Sequence, residues 1–190
     1  EPMSQLCRDL MQDVPIFSDG LTELEKTSIS NRSTKLFTLS AIHQATLALL
    51  SKSKNDPITL EDAQLATAYW TYLGNAILEW QAVLRHEMKT SELRDDYVHA
   101  HGVVLQALGI VGQMVTQRSD QWEAELRDIN QINWLRSNGI WHGSAIVQGK
   151  MSKANKSVKM TAITIKRELG LPLNSDEITL QNRLAEYGGK

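Results

Sequence analysis

The segment from Ser33 to Leu50 carries apolar residues on nearly every side when it is placed on a helix. These residues are Leu36, Phe37, Leu39, Ala41, Ile42, Ala45, Leu47, Ala48, Leu49 and Leu50. A helix that is apolar all round must be surrounded by other elements, because none of its faces can be left in water. We therefore predict that this segment forms the central helix of the fold and is more buried than any other.

Two further long helices follow from the spacing of apolar residues and helix-start signals. The first runs from Thr59 to about His86, and its apolar stripe is predicted to belong to the core; the stripe consists of Trp70, Leu73, Ile77, Trp80 and Leu84. The second runs from Ser91 to about Thr116 and carries Gly102, Gly109 and Gly112 close to one face. Because each glycine costs a helix about 1 kcal/mol relative to alanine, we expect another helix to approach this face closely.

The predicted fold class is all-α, an irregular bundle of about five to eight helices. The pattern near 140–160 is irregular and is compatible with one small hairpin. Thr161 is predicted to start a helix that Gly170 ends, and Ser175 opens the last helix, so residues 160–190 are interpreted as a small appended helical pair. The 190 residues otherwise suit a single helical domain, 1–190.

The composition excludes several classes of protein. No apolar run approaches the roughly 20 residues of a membrane span, and the first residues show no secretory signal, so we expect a soluble, cytoplasmic protein without membrane partners. Cys7 is the single cysteine, which fits a reducing compartment and excludes an internal disulfide. A first residue other than methionine suggests part of a longer chain. The net charge of -2 means that any DNA contact must come from a local patch.

Two groups of basic residues are candidate DNA or phosphate sites. Arg32 and Lys35 stand at the predicted start of the 33–50 helix, where the helix dipole disfavours cations, so either an internal carboxylate or a bound phosphate should compensate them. The second group lies in the stretch 150–167, which contains no acidic residue. Its members are Lys150, Lys153, Lys156, Lys159, Lys166 and Arg167, and they indicate either phosphate contacts or a solvated surface.

A polar cluster is the remaining candidate site. Its members are Asp95, His99, His101 and Arg136. On a helix, His99 and His101 point about 200° apart, so we predict no metal site. Asp95 and His99, four residues apart, could form an acid–base dyad or simply an interhelical hydrogen bond. The chain shows no phosphate-binding glycine loop, nucleophile elbow or HExxH string, and we expect no catalytic residue and no cofactor.

Several runs of residues strongly resemble the C-terminal half of DndB-like proteins, the DGQHR-domain family associated with bacterial DNA phosphorothioate modification. The most specific is RSTKLFTLSAI at 32–42. The others, in order, are WQAV at 80–83, LRDDYVHAHG at 93–102, ALG at 107–109, NWLRSN at 133–138 and IKRELGLPL at 165–173. The DGQHR segment itself, in the family's N-terminal ParB-related domain, is absent from this chain.

The resemblance implies a transcriptional regulator of the modification gene cluster that binds DNA near its promoters, with no enzymatic role for the helical half. DNA and other phosphorothioate-modification proteins are the expected partners. Two alternatives stay open. One is a non-catalytic helical scaffold that supports an upstream nucleotide- or DNA-processing domain, and the other is part of an enzyme whose active site lies upstream.

Overall fold

The computed structural model describes residues 1–187 and confirms the all-α prediction. The helices of this part of the chain are α1 (Pro2–Asp13), α2 (Leu39–Leu50), α3 (Leu60–Ala76), α4 (Leu78–Leu84), α5 (Thr90–Asp96), α6 (Gly102–Arg118), α7 (Trp122–Glu125), α8 (Asn155–Glu168) and α9 (Ser175–Tyr187). Two short strands, β1 (Thr22–Glu23) and β2 (Phe37–Thr38), pair in parallel, and β3 (Ile146–Val147) pairs with β4 (Lys150–Met151) in antiparallel fashion. No helix within 1–187 combines the length and the apolarity needed to cross a membrane.

The hairpin allowed for near 140–160 is confirmed as β3–β4. Its turn residues Gln148 and Gly149 both have positive φ, 51° and 76°. Two successive residues with positive φ are what a type I′ hairpin turn requires, and glycine adopts this backbone without strain.

The central helix starts later than predicted. Residues 33–38 are not helical: the backbone N–H of Leu36 donates to the carbonyl of Leu21, and β2 continues this pairing. Thr38 then caps α2 by accepting a hydrogen bond from the N–H of Ala41. The prediction that this helix is the most buried is also wrong, because α6 contributes more buried residues to the core than α2 does.

The two long helices predicted from 59 to 86 and from 91 to 116 are each interrupted. Ile77 is extended between α3 and α4, and the side chain of Asn130 bonds both to the N–H of Leu78 and to the carbonyl of Ala76. These bonds satisfy backbone groups that the break would otherwise leave free. The second break follows α5, where Tyr97 is extended and pairs with Leu135. Tertiary hydrogen bonds outside the helices therefore set both interruptions.

The predicted core stripe is confirmed for the four residues Trp70, Leu73, Ile77 and Trp80, all of which are fully buried. Aromatic rings from distant parts of the chain pack around the two tryptophans: Phe17 lies against Trp70, and Phe37 lies against Trp80. Cys7 is buried in α1, and burial raises the pKa of its thiol to about 12, so it acts as a small apolar core residue and not as a reactive thiolate.

The last two helices are arranged differently from the sequence prediction. α8 begins at Asn155 instead of Thr161, and the hydroxyl of Thr161 donates to the carbonyl of Ser157 within the helix. Gly170, with φ of 68°, follows the end of α8 as predicted. The earlier start places Lys156 and Lys159 on the helix, so helix geometry decides which way they face.

Candidate functional site

Helices α2 and α6 run in the same direction and are in close contact along the predicted glycine face. A Cβ atom added at Gly102 would lie 3.2 Å from the Cβ of Ala41, one at Gly109 only 2.2 Å from the carbonyl oxygen of Ala45, and one at Gly112 2.7 Å from Leu49. The contacts advance along both helices in the same order, so the helices are parallel. Their N-termini therefore lie at the same end of the pair.

Both N-termini open onto one cleft of about 330 Å³. Its walls are the loop 27–38, the first turns of α2 and α6, and the segment from Met151 to Val158. Hydroxyl groups are frequent in this lining, and the charged side chains in it are those of Arg94 and Lys153. No Asp or Glu is among the described residues that line the cleft. An anion in the cleft would therefore meet two cations and no carboxylate among the described lining residues.

Arg94 is the buried positive charge of this cleft, with 4% of its surface exposed. Its Nη1 donates to the carbonyl of Asn31 at 3.4 Å, and its Nη2 donates to the carbonyl of Lys35. Burial lowers the pKa of Arg94, but a guanidinium remains charged at neutral pH. It forms no ion pair within 4.0 Å in the described part of the chain. The two carbonyl bonds thus orient a charge that no described carboxylate contacts, although the negative charge of Asp95 acts on it at longer range and opposes the lowering of its pKa.

His101 and Arg136, two members of the predicted polar cluster, come together at the backbone carbonyl of Arg94. The Nε2 of His101 lies 2.8 Å from that oxygen, and the Nη1 of Arg136 lies 3.4 Å from it. Burial is the main cause that lowers the pKa of His101 to about 4, and the nearby Arg136 lowers it further. At neutral pH the imidazole is therefore neutral and donates its Nε2–H to the carbonyl.

This depressed pKa predicts acid sensitivity. The unfolded chain takes up the proton near the ordinary value of 6.5, whereas folded His101 does so only near 4, so the unfolded state binds more protons in between. The free energy of unfolding should fall by up to about 3 kcal/mol as the pH drops from about 6.5 to about 4. Urea unfolding followed by circular dichroism at several pH values measures this fall.

His101→Gln should remove part of the pH dependence, because the amide can still donate to the carbonyl of Arg94 but does not titrate. An equal pH dependence in wild type and His101→Gln would contradict the assignment. Fully buried His99 and partly buried His43, whose pKa values burial also lowers, contribute with the same sign and should account for part of what remains.

Asp95 and His99, for which the spacing allowed either a dyad or a simple hydrogen bond, do not contact each other, because α5 ends at Asp96 and His99 lies outside that helix. His99 is fully buried among Tyr97, Trp80 and Trp134, and its Nε2 lies 3.4 Å from the carboxylate of Glu79. Asp95 lines a neighbouring cleft instead. The spacing of residues along the chain did not indicate Glu79 as the partner of His99, because Glu79 belongs to α4 and is distant in sequence.

Arg32 and Lys35 lie in a loop and not at the start of a helix, which corrects the prediction made from the 33–50 pattern. Arg32 is exposed and lines a cleft that shares Asn31 with the Arg94 cleft. The Nζ of Lys35 donates to the backbone carbonyl of Asp19 at 2.8 Å. Arg32 is therefore available at the surface, and Lys35 is partly engaged within the fold.

The basic stretch 150–167 does not form one surface. Lys153 lines the cleft that holds Arg94, and Lys150 is exposed in the hairpin. Lys156 and Lys159 share a groove with Asp176 and Glu177 of α9. The stretch itself contains no acidic residue, but α9 packs beside it and places acidic residues next to its lysines.

Lys166 and Arg167, the last two basic residues of this stretch, also lie in different surroundings. Lys166 is 2% exposed, and its Nζ lies 2.8 Å from both carboxylate oxygens of Glu177. It therefore ties α8 to α9. Arg167 is exposed on the other side of the same turn of α8.

Two features of this site were not identified from the sequence. Arg94 was not singled out, although it lies within the family-like run LRDDYVHAHG at 93–102. It was also not predicted from the sequence that the starts of α2 and α6 lie together, although the small residues of both helices, glycines in α6 and alanines in α2, are typical of close helix packing. Within residues 1–187 no group of three or more His, Cys, Asp or Glu side chains is placed to hold a metal ion.

The family model described as DndB, DNA-sulfur modification-associated, matches residues 1–172. No curated protein and no solved structure gives a significant match to the chain.

Proposed function

Because the chain belongs to the DndB family of DNA-sulfur modification-associated proteins, we propose that it is a DNA-associated regulatory module of a bacterial DNA phosphorothioate modification system. In this role it binds DNA near the promoters of the modification genes, in the cytoplasm, and controls their transcription. It carries out no catalysis itself, and its partners are DNA and other proteins of the modification system.

The observation that carries this proposal is the cleft in which Arg94 and Lys153 occur with no acidic lining residue. A DNA backbone presents a row of phosphates, and cations that neutralise them provide most of the sequence-independent affinity. The loop 27–38 forms one wall of this cleft, and exposed Arg32 of the same loop lines the neighbouring cleft, which shares Asn31 and also contains Asp95. Lys153, Lys150 and Arg32 are accordingly the side chains that we assign to phosphate contact.

The remaining basic candidates have smaller roles in this proposal. Lys156 and Lys159 share a groove with Asp176 and Glu177, whose negative charges reduce the attraction of these lysines for a phosphate. Lys166 is occupied by its ion pair. Lys35 is engaged with the carbonyl of Asp19, and Arg167 does not line the cleft, so neither is assigned to phosphate contact.

The proposal predicts different effects for two lysines of the same stretch. Lys153→Ala should weaken binding of promoter and random duplexes alike and reduce the slope of log affinity against log salt by about one counterion. Lys159→Ala, also exposed and on the adjacent helix, should change the slope much less. Fluorescence anisotropy titrations between about 50 and 200 mM salt measure both slopes.

Circular dichroism should show that both variants remain folded, since neither side chain is buried. Equal slopes for wild type and Lys153→Ala would show that this cleft does not contact DNA. An equal loss in both variants would indicate a diffuse electrostatic attraction with no specific surface.

A scaffold role is the second candidate function, and one observation favours it. A groove between α1 and α3 is lined by apolar and uncharged polar residues together with Tyr72, Asp9 and Asp13, and its two carboxylates suit a basic segment of a partner protein. Under this alternative the upstream domain or another modification protein binds here, and this part of the chain does not contact DNA. Absence of any salt-dependent anisotropy change with this chain would favour the scaffold.

A further inference from the structure

We propose that the cleft between α2 and α6 is a binding site for a single oxyanion of the phosphate class. The anion would lie where the two helix starts meet the buried guanidinium of Arg94, with Lys153 at the rim. This goes beyond a general attraction to DNA, because it assigns one discrete site with defined donors.

The parallel packing of α2 and α6 creates the first part of this site. Each helix start carries roughly half a positive charge, and parallel helices bring these charges together instead of cancelling them. Neither helix has an acidic residue in its first turn. By contrast, α3 begins with Glu61 and Asp62, and α9 begins with Asp176 and Glu177. The first turns of α1 and α8 also lack acidic residues, so α2 and α6 are distinguished by the fact that their two starts line one cleft.

Arg94 is an independent reason for a ligand. A buried charge is costly unless an opposite charge accompanies it, and Arg94 has no carboxylate within 4.0 Å among the described residues. Two loop carbonyls accept from Nη1 and Nη2, which fixes the direction of the side chain but leaves its charge in place. An oxyanion in the cleft would supply the missing opposite charge through charge-assisted hydrogen bonds.

Backbone donors complete the arrangement. The N–H groups of Gly102 and Val103 donate to no acceptor within residues 1–187, and α6 has no side-chain cap. Ser40, in the first turn of α2, brings a further backbone N–H and an exposed hydroxyl to the same cleft. Uncapped N–H groups at a helix start are the donors that phosphate and sulfate commonly occupy.

Two sources could supply this anion, a phosphate of the DNA backbone or a small free phosphate compound. Only the first source rests on the proposed function. The site itself depends on the chemistry of the cleft, so its test uses inorganic phosphate and does not require DNA.

The test is a titration of ¹⁵N-labelled protein with inorganic phosphate, compared with chloride at matched ionic strength. We expect saturable shifts of the amide signals of Gly102, Val103 and Ser40 with phosphate only. Lys153→Gln should weaken phosphate binding by roughly threefold to tenfold, whereas Lys159→Gln should leave it unchanged. Shifts that do not saturate, or an equal loss in both variants, would overturn the proposal.

A second variant replaces the bound anion with a carboxylate of the protein itself. Ser40→Glu puts a carboxylate at the exposed start of α2, where it can reach Arg94 and the α6 start, and Ser40→Gln is its uncharged control. Ser40→Glu should raise the thermal midpoint and reduce phosphate affinity by about tenfold or more, and Ser40→Gln should do neither. Undiminished phosphate binding by Ser40→Glu would overturn the site.

DNA titrations with the same variants distinguish the two sources. If a backbone phosphate fills the cleft, Ser40→Glu should weaken DNA binding and inorganic phosphate should compete with DNA beyond its ionic-strength effect. If a free phosphate compound is the ligand, the amide shifts should persist while Ser40→Glu leaves DNA affinity unchanged. Failure of the wild type to bind DNA would refute the proposed function and leave the phosphate result standing.

Discussion

Replacing Gly109 with leucine should prevent the protein from folding stably. A Cβ at this position would lie 2.2 Å from the carbonyl oxygen of Ala45 and 3.1 Å from its carbonyl carbon. Both atoms belong to the backbone of α2, so they cannot move aside as the end of a flexible side chain could. Leucine would force the two central helices apart, at a cost that should exceed the roughly 1–3 kcal/mol of ordinary overpacking.

Urea or thermal unfolding followed by circular dichroism measures this loss. Gly109→Ala should also destabilise the protein, because its Cβ alone makes the clash. Gly139→Ala is the matched control, since no atom lies within 4 Å of the added Cβ and the backbone is not in a positive-φ conformation. A Gly109→Leu protein as stable as the wild type would show that α2 and α6 do not pack as described here.

Breaking the ion pair between Lys166 and Glu177 should have the second largest effect. Both side chains are nearly buried, with 3% and 12% of their surfaces exposed, and two contacts of 2.8 Å join them. Removing one partner from a buried pair leaves an uncompensated charge, which typically costs about 3–5 kcal/mol. We expect Glu177→Gln to lower the free energy of unfolding by an amount toward the lower end of this range, because the amide can still accept a hydrogen bond from the ammonium group.

The double variant Lys166→Met with Glu177→Gln tests the cause. This double variant leaves no buried charge, so it should recover part of the stability that either single variant loses. A double-mutant cycle from urea unfolding measures the coupling energy between the two side chains. Strictly additive losses would exclude a direct interaction. Lys166→Met should also leave the salt dependence of DNA binding unchanged, in contrast to Lys153→Ala.

The pairing of Lys166 illustrates why charge along the chain and charge in space differ. The sequence between 150 and 167 contains six basic residues and no acidic residue, which indicated either phosphate contacts or a solvated basic surface. Helix α8 turns successive lysines in different directions, and α9 returns Glu177 to one of them. A single sequence does not show where a later helix will pack, so this neutralisation could not be predicted.

The sequence by itself determined the helical class, the hairpin and the apolar core, because these depend on residue spacing within one segment. Periodicity at Trp70, Leu73, Ile77 and Trp80 identified buried residues correctly, and the glycines of α6 indicated close packing with another helix. The family-like runs identified the DndB family for the same reason, since they are contiguous in sequence.

Only the tertiary structure decided which elements meet. The spacing of glycines in α6 shows that another helix must approach closely. It does not show that this helix is α2, nor that the two helices are parallel and therefore have their starts at one cleft. Likewise, a helical pattern continues through Ile77 and Tyr97, and hydrogen bonds from Asn130 and pairing with Leu135 end it. Such contacts join residues far apart in the chain. The burial of Arg94 without a carboxylate, on which the phosphate site depends, arises from these contacts and leaves no local pattern in the sequence.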